Sequence, residues 1–449
     1  MKKYTGKKVL YSLILLQAIS TGIQAQEKKW NLDECINYAL EKNISIQQSK
    51  LNVASDEINL EQSKSNLLPT VNASVASGLS WSKDYNTTTA SYDPMENSAS
   101  NSYGLNASAT LFNGFKLKTR IEQAGVNLEA SEYYADYVQE SIELSILDAY
   151  LQILYASEEL ENATEQVAAT EEQLKLAKER MELGIISNAD YLQINAELAT
   201  EKLTMVNAKN TLAMAKVNLM QLMEMPVNGD FDVVKPDIES LVGTELNVDA
   251  GEIYMEAVLN KPQVKEAELN VQSVMLDKQI AKADLYPSLT LSSGVSTAWS
   301  NSSGISTGYT DQLLNKIVPT VSLNLSIPIF QKNQVKNNLK LADISVTAAK
   351  LTETDTKNSL RKEIEQACID YLNSRSRFEA GQYSYEAVEE SYQVAEEKYR
   401  LGLMNSVDYL LEKTKLIQSE SEVLQSKYNV LFAMKILDYY AGKEITFTI

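Results

Sequence analysis

The sequence predicts an α+β membrane protein in which long antiparallel α-helical coiled-coil hairpins are joined to four transmembrane β-strands per chain. Three observations carry this expectation. The chain repeats itself at a fixed distance of 218 residues. Each half holds a long proline-free tract of helix formers, and two segments of two-residue alternation precede that tract.

The repeat is read from matched residues. Ala39 returns as Ala257, and Leu51, Asn52 and Val53 return as Leu269, Asn270 and Val271. Pro69 returns as Pro287, Trp81 as Trp299 and Phe112 as Phe330. Leu183 and Gly184 return as Leu401 and Gly402, and Asp190, Tyr191 and Leu192 as Asp408, Tyr409 and Leu410. The offset does not drift, and it is far longer than the period of solenoids or propellers. The expected organisation is a first repeat over 26–226, a linker over 227–251 and a second repeat over 252–449.

Residues 1–25 read as a secretory signal, with Lys2, Lys3, Lys7 and Lys8 ahead of an apolar stretch and a small residue, Ala25, at the expected cut. Losing those four lysines leaves 37 basic against 60 acidic residues, so the net charge moves from −19 to −23. Such a chain is expected to repel nucleic acid and anionic lipid surfaces. The mature sequence has no apolar run long enough for a transmembrane helix.

In each half the first alternating segment follows a proline. Val71, Ala73, Val75, Leu79 and Trp81 alternate with Asn72, Ser74, Ala76, Gly78 and Ser80, which predicts a strand over about 70–82. Tyr103, Leu105, Ala107, Ala109 and Leu111 predict a second over about 102–112. Leu289, Leu291, Val295 and Trp299 predict a third over about 288–300, and Val321, Leu323, Leu325, Ile327 and Ile329 a fourth over about 319–330. Half-buried strands of a soluble sheet alternate in the same way. The membrane reading is favoured because the polar face is small and uncharged and because Trp81 and Trp299 stand at matched strand ends, where an aromatic girdle belongs. The Ser/Asn-rich stretches 83–101 and 301–318 are expected to be external loops.

No proline occurs between Asn113 and Met225 or after Pro328, and these tracts are rich in Ala, Leu, Glu, Lys and Gln. Apolar residues recur at helical spacing, as at Ile142, Ile146, Ala149, Ile153 and Ala156. Each tract reads as a long helix (116–182 and 332–400), a reversal at Gly184 or Gly402, and a shorter returning helix. The long members come to roughly 100 Å at 1.5 Å per residue, so they must pack side by side as antiparallel hairpins.

Catalysis has little to work with. Histidine is absent, which removes the commonest general base and transition-metal ligand. Neither a phosphate-binding glycine loop nor a nucleophile elbow occurs, so no enzyme activity, cofactor or metal is expected. The two cysteines, Cys35 and Cys368, do not correspond under the repeat, and no structural disulfide is expected between them.

Four strands cannot close a barrel, and an open sheet edge in lipid leaves backbone groups unpaired. The chain must share its barrel with copies of itself. Two copies give eight strands, whose interior side chains fill; three give twelve, with room for a lumen.

Over essentially its whole mature length the chain resembles the outer membrane efflux proteins, the TolC-like channel-tunnels. The resemblance rests on the duplication, on the order helix, strand, strand, long helix, turn, helix, and on the two turns that run from Leu183 and Gly184 to Asp190 and from Leu401 and Gly402 to Asp408. It implies a homotrimer with a twelve-stranded barrel in outer-membrane lipid and a periplasmic α-helical tunnel. It further implies a passive duct for efflux or type I secretion, opened by a periplasmic adaptor (membrane fusion protein) and energised by an inner-membrane pump of the RND or ABC type.

The resemblance also implies that the helix reversals, 180–188 and 398–406, form the periplasmic tip. Leu183, Ile185, Ile186, Leu401 and Leu403, beside Gly184 and Gly402, are the expected adaptor contacts, because apolar residues at an exposed tip need a partner. Asp190, Met404, Asp408 and Leu411 are the aperture candidates. Asp408 matches an acid that rings the aperture in the family. Leu411 stands where a second acid is expected, and Met404 where the family has an arginine that links helices, so an apolar latch is as open as an ionic one. Asp190 and Asp408 also read simply as first-turn acids that complement a helix dipole. If part of the negative charge lines the tunnel, it favours cations. A periplasmic coiled-coil adaptor or structural protein is the alternative, but it calls for lipoyl-like segments around one hairpin, not two hairpins and four strands.

Overall fold

The computed structural model describes residues 29–447, apart from 84, 93, 228–230, 239–241, 244–245, 247, 302–306 and 444. The expected signal over 1–25 lies outside the described residues. The first half runs β1 (Lys29–Trp30), α1 (Leu32–Lys42), α2 (Ile44–Ser65), β2 (Thr70–Ser82), β3 (Tyr85–Asn86), β4 (Ser91–Tyr92), β5 (Glu96–Asn113), α3 (Lys116–Glu182) and α4 (Asn188–Leu222). The second runs β6 (Asp232–Val233), α5 (Ala250–Asn260), α6 (Pro262–Ala283), β7 (Ser288–Ser300), α7 (Tyr309–Asn315), β8 (Val318–Ser326), α8 (Gln334–Arg400) and α9 (Ser406–Tyr440).

Five elements of the first half (α1, α2, β2, α3 and α4) have the same bounds as α5, α6, β7, α8 and α9 after a shift of 218 residues. The halves differ in their second strands. β5 spans 18 residues and β8 only 9. β8 stops ahead of Pro328, which has no N–H for a ladder, so Ile327 and Ile329 fall beyond the strand.

The described residues fall into two compact units, one built from 48–138 and 258–362 and the other from the rest. The first contains a four-stranded antiparallel sheet in the order β2-β5-β7-β8. Its register carries the alternation across all four strands. Val71 stands opposite Ala107, Ala107 opposite Ser293 and Ser293 opposite Val321; the next row is Ala73, Leu105, Val295 and Pro319. Every apolar strand residue named above from 71 to 109, from 289 to 299 and from 321 to 325 therefore lies on one face. The other face is Ser, Thr, Asn, Gly and Ala, apart from Glu96 and Val318 where β5 and β8 begin. There Thr70 and Ser108 Oγ atoms meet at 2.9 Å, and a Cβ on Gly294 would come 2.7 Å from Asn106 Oδ1.

Leu111 departs from the simple alternation. A bulge between Thr110 and Phe112 puts Phe112, not Leu111, opposite Leu289. The stretch after β7 departs too, because α7 forms within what reads as a polar loop. Gln312 of α7 is buried, accepts from Ser300 N at 3.1 Å and donates to Ser300 O at 3.0 Å. One side-chain amide thus supplies the two ladder bonds that β8, starting at Val318, cannot give to the end of β7.

The second unit is helical. Asn31 forms a capping box with Glu34 at the start of α1. Buried Asn43 accepts from Ser45 N and Ile46 N and donates to Leu222 O at 2.9 Å, so one side chain caps α2 and closes α4. Ile146, Leu147, Ile153, Ile194, Leu219, Ile364 and Leu431 form the core. The short parallel pair β1–β6 is held by fully buried Tyr150, whose hydroxyl lies 2.5 Å from Val234 O and 3.2 Å from Trp30 O. Cys35 and Cys368 are both buried, and no disulfide joins them.

Candidate functional site at the helix reversals

Both reversals are built the same way. Gly184 N donates to Met181 O and Ile185 N to Arg180 O, the paired bonds of a Schellman cap, with Gly184 at φ 71°. Gly402 N donates to Tyr399 O and Leu403 N to Lys398 O, with Gly402 at φ 74°. No neighbouring atom lies within 4 Å of a Cβ placed on either glycine, so the requirement is conformational, not steric.

The returning helices restart on polar caps three residues after each cap. Ser187 forms a capping box with Asp190 at the start of α4, and Asn405 Oδ1 accepts from Asp408 N at 2.9 Å at the start of α9. Between cap and restart the chain must present apolar residues outward. Leu183, Ile185, Leu401 and Leu403 are 60–75% exposed, whereas Ile186 and Met404 are half-buried and Leu411 is exposed.

The two reversals are tied to each other. Ser406 Oγ donates to Asp190 Oδ1 at 2.6 Å, while Asp190 Oδ2 is held by Ser187 Oγ at 2.6 Å. These two hydroxyl donors, Ser187 first, hold the Asp190 carboxyl below the usual aspartate range. Arg180 Nη2 donates to Arg400 O at 3.1 Å, at the open end of α8. None of these links uses Met404 or Leu411. Asp408 is exposed and, among the described residues, engages its own cap alone, with Asn405 Nδ2 donating to it at 2.8 Å. Asp190 and Asp408, matched in sequence, therefore stand differently.

Behind the tip the hairpins meet through two polar layers that the sequence reading did not find. In the first, Gln173 Nε2 donates to Tyr409 OH at 2.6 Å, Tyr392 OH lies 2.9 Å from Tyr409 OH, and the Tyr399 ring stacks on Tyr409 at 4.6 Å. Burial pushes all three tyrosines upward, so they stay protonated. Beside them is a cavity of about 210 Å³ between Arg180, Glu396, Tyr399 and Arg400. One turn further along, Lys413 bonds Glu201 Oε1 at 2.6 Å and Thr170 Oγ1, joining α9, α4 and α3, with both charged side chains about 5–6% exposed. Gln173 follows Thr170 by three residues and Lys413 follows Tyr409 by four, so both layers lie on the same helix faces. That spacing was the available signal, but nothing in it names the partner.

The aromatic candidates lie in the other unit. Trp81, opposite Asn97, is 64% exposed, and Trp299, opposite Asn101, packs on Tyr309 at 5.2 Å; both belong to the apolar face. Among the described residues no cluster of three or more His, Cys, Asp or Glu could hold a metal, and no helix is long and apolar enough to cross a membrane.

A sheet that is apolar on one face and small-polar on the other, carried with paired long helical hairpins in a duplicated chain, defines the class of TolC-like channels. The sequence profile described as outer membrane efflux protein matches residues 35–223 and 253–443, and the chain belongs to that family. It is an outer-membrane protein whose helical tunnel lies in the periplasm. A curated relative, Toxin and drug export protein A of Aggregatibacter actinomycetemcomitans, is 20% identical over 347 residues, 76% of this chain and 73% of its own. Outer membrane protein TolC of Salmonella enteritidis is 23% identical over 360 residues, 77% of this chain and 70% of its own. Among solved structures, CusC aligns over 92% of both chains with a TM-score of 0.79 at 20% identity, which speaks for the fold. These relatives are export proteins and channels, not enzymes.

Proposed function

We propose that this protein is the passive outer-membrane exit duct of a tripartite efflux or type I secretion system. In this reading three copies pool four strands each into a twelve-stranded barrel, with the small-polar face lining the lumen and the apolar face in lipid. The observation that carries it is the state of the sheet in a single chain. Val71, Val75, Leu79, Val321, Leu323 and Leu325 are 57–78% exposed, and among the described residues β2 and β8 each leave one edge without a partner strand. The exposed apolar face does not survive in water and the open edges do not survive in lipid; the bilayer covers the first, and ring closure with further copies pairs the second.

The exposed Leu183, Ile185, Leu401 and Leu403 are the surface for a periplasmic adaptor, which in turn brings an inner-membrane pump of the RND or ABC type. The Asp190–Ser406 and Arg180–Arg400 links hold the reversals together until the adaptor engages them. In this reading the energy comes from the pump. Asp408, exposed and free of any link between the reversals, is the aperture acid, and Trp81 and Trp299 sit at the membrane interface.

Photo-crosslinking in cells from a probe at Leu403 or Ile186, read by mass spectrometry, tests the docking surface. Capture of a periplasmic adaptor is expected. Capture of none, in cells that make the protein and its operon partners, rejects this placement.

A further inference from the structure

The strand–helix junctions of the sheet-bearing unit invert the charge of the chain. The four ten-residue windows at these junctions (60–69, 114–123, 278–287 and 331–340) hold 9 basic and 3 acidic residues, in a sequence of 41 basic and 60 acidic. At the opposite strand ends, 83–96 and 309–318, the balance is 2 basic to 4 acidic. The excess is concentrated at the starts of α3 and α8, neither of which has an acid in its first turn. Basic residues there oppose the helix dipole and lower helix stability, so the fold of the isolated chain does not account for them.

Lys116 is neutralised by Asp284 at 2.6 Å. Lys118, Arg120, Lys332, Lys336 and Lys340 are exposed and have no ion-pair partner among the described residues; the acids nearest them in sequence are Glu122 and Asp343, and Asp343 pairs with Lys278. The two helix starts lie together, since Lys116, Asn113, Phe330, Lys332, Gln334 and Asn338 line one cavity of about 560 Å³. Between these lysines and the strands comes an exposed apolar band: Leu67, Leu68, Phe115, Leu285, Ile329 and Phe330 are 53–95% exposed.

We propose that these junctions are a docking surface for the phosphate headgroups of anionic phospholipid in the leaflet facing the periplasm. The proposal rests on the reading that the sheet lies in the membrane. The apolar band enters the acyl region, and the basic side chains next along the chain reach the headgroup layer. Lys340, six residues into α8, is about 9 Å from its start, within one Debye length of a charged surface. A phosphate brought to these helix starts is favoured by the dipole and by the lysines together.

The test is a comparison of the full-length protein reconstituted in phosphatidylcholine vesicles with and without phosphatidylglycerol, with bound lipid counted by native mass spectrometry. Enrichment of phosphatidylglycerol on the protein is expected, weakening as salt rises. Neutralising K118Q, R120Q, K332Q, K336Q and K340Q together should cut that enrichment at least about fivefold. Five neutral substitutions elsewhere (K50Q, K178Q, K209Q, K350Q and K362Q) should leave it unchanged. Equal binding of the two lipids by the wild type, or full enrichment in the junction variant, overturns the proposal. Failure of the wild type to float with vesicles of either composition would instead reject the membrane placement of the sheet. Flotation of the junction variant with pure phosphatidylcholine establishes that it has folded.

Discussion

At the residue scale, Asp190 and Asp408 show how one sequence position acquires two jobs. Both begin a returning helix and both engage an N-cap, but only Asp190 also reaches across to Ser406. Its carboxyl is held low by hydroxyl donors, so its contribution is complete above the unfolded value of about 4 and fades as pH falls through the lower folded value. Acidification below about pH 4 should therefore loosen the paired reversals, seen as faster amide exchange over 180–190 and 400–408, and D190N should remove that acid dependence. Gly184 and Gly402 make a second case. G184A or G402A puts a Cβ into a left-handed conformation with open space around it, so the cost is the backbone term alone, about 1 kcal/mol of local stability by hydrogen exchange.

At the element scale, the polar layers explain why the hairpins meet in one register. An apolar seam tolerates sliding by a helical repeat, but the bond set of Lys413 with Glu201 and Thr170 does not. Truncating one partner, as in K413M or E201Q, leaves an uncompensated buried group and should cost about 3–5 kcal/mol. Replacing both by apolar residues, K413M with E201M, should restore most of it; a double-mutant cycle on thermal unfolding of the detergent-solubilised protein measures the difference. In the sheet, the apolar-face variant L323R should cost about 2–4 kcal/mol at mid-strand and deplete the oligomer, whereas S322D on the small-polar face should be tolerated. Recovery of heat-sensitive oligomer from outer membranes checks both.

At the scale of the whole molecule, the unfinished sheet supports the proposed assembly. Among the described residues the sheet has two open edges and an exposed apolar face, which invite aggregation unless the edges are paired and the face is covered; closure with its own copies in lipid, as proposed, does this. Unheated electrophoresis of outer-membrane extracts should show a species three times the chain mass that collapses to 50 kDa or slightly less on boiling. A monomer in the soluble periplasm would reject the duct. Charge is likewise distributed at this scale, with a deep acid excess over the chain and a local basic excess at the strand–helix junctions.

Period is a local property, and it was legible. A strand's two-residue alternation and a helix's 3.6-residue repeat are set by backbone geometry, so Val71 to Trp81 declared their common face without a partner in view. Gly184 and Gly402 likewise announced reversals, because only glycine enters the left-handed cap without strain. What depends on partners far along the chain was not legible. The bulge at Thr110, the helix that lets Gln312 stand in for a missing strand, the grip of Tyr150 on β1–β6, and the Lys413–Glu201 pair, 212 residues apart, all answer to groups whose proximity no local rule sets. The sequence alone determined the duplicated plan, the faces and the turns, since each follows from neighbours within a few residues. Only the tertiary structure decided which of the paired acids links the reversals and which stays free, because that choice depends on the distance between segments the chain itself keeps far apart.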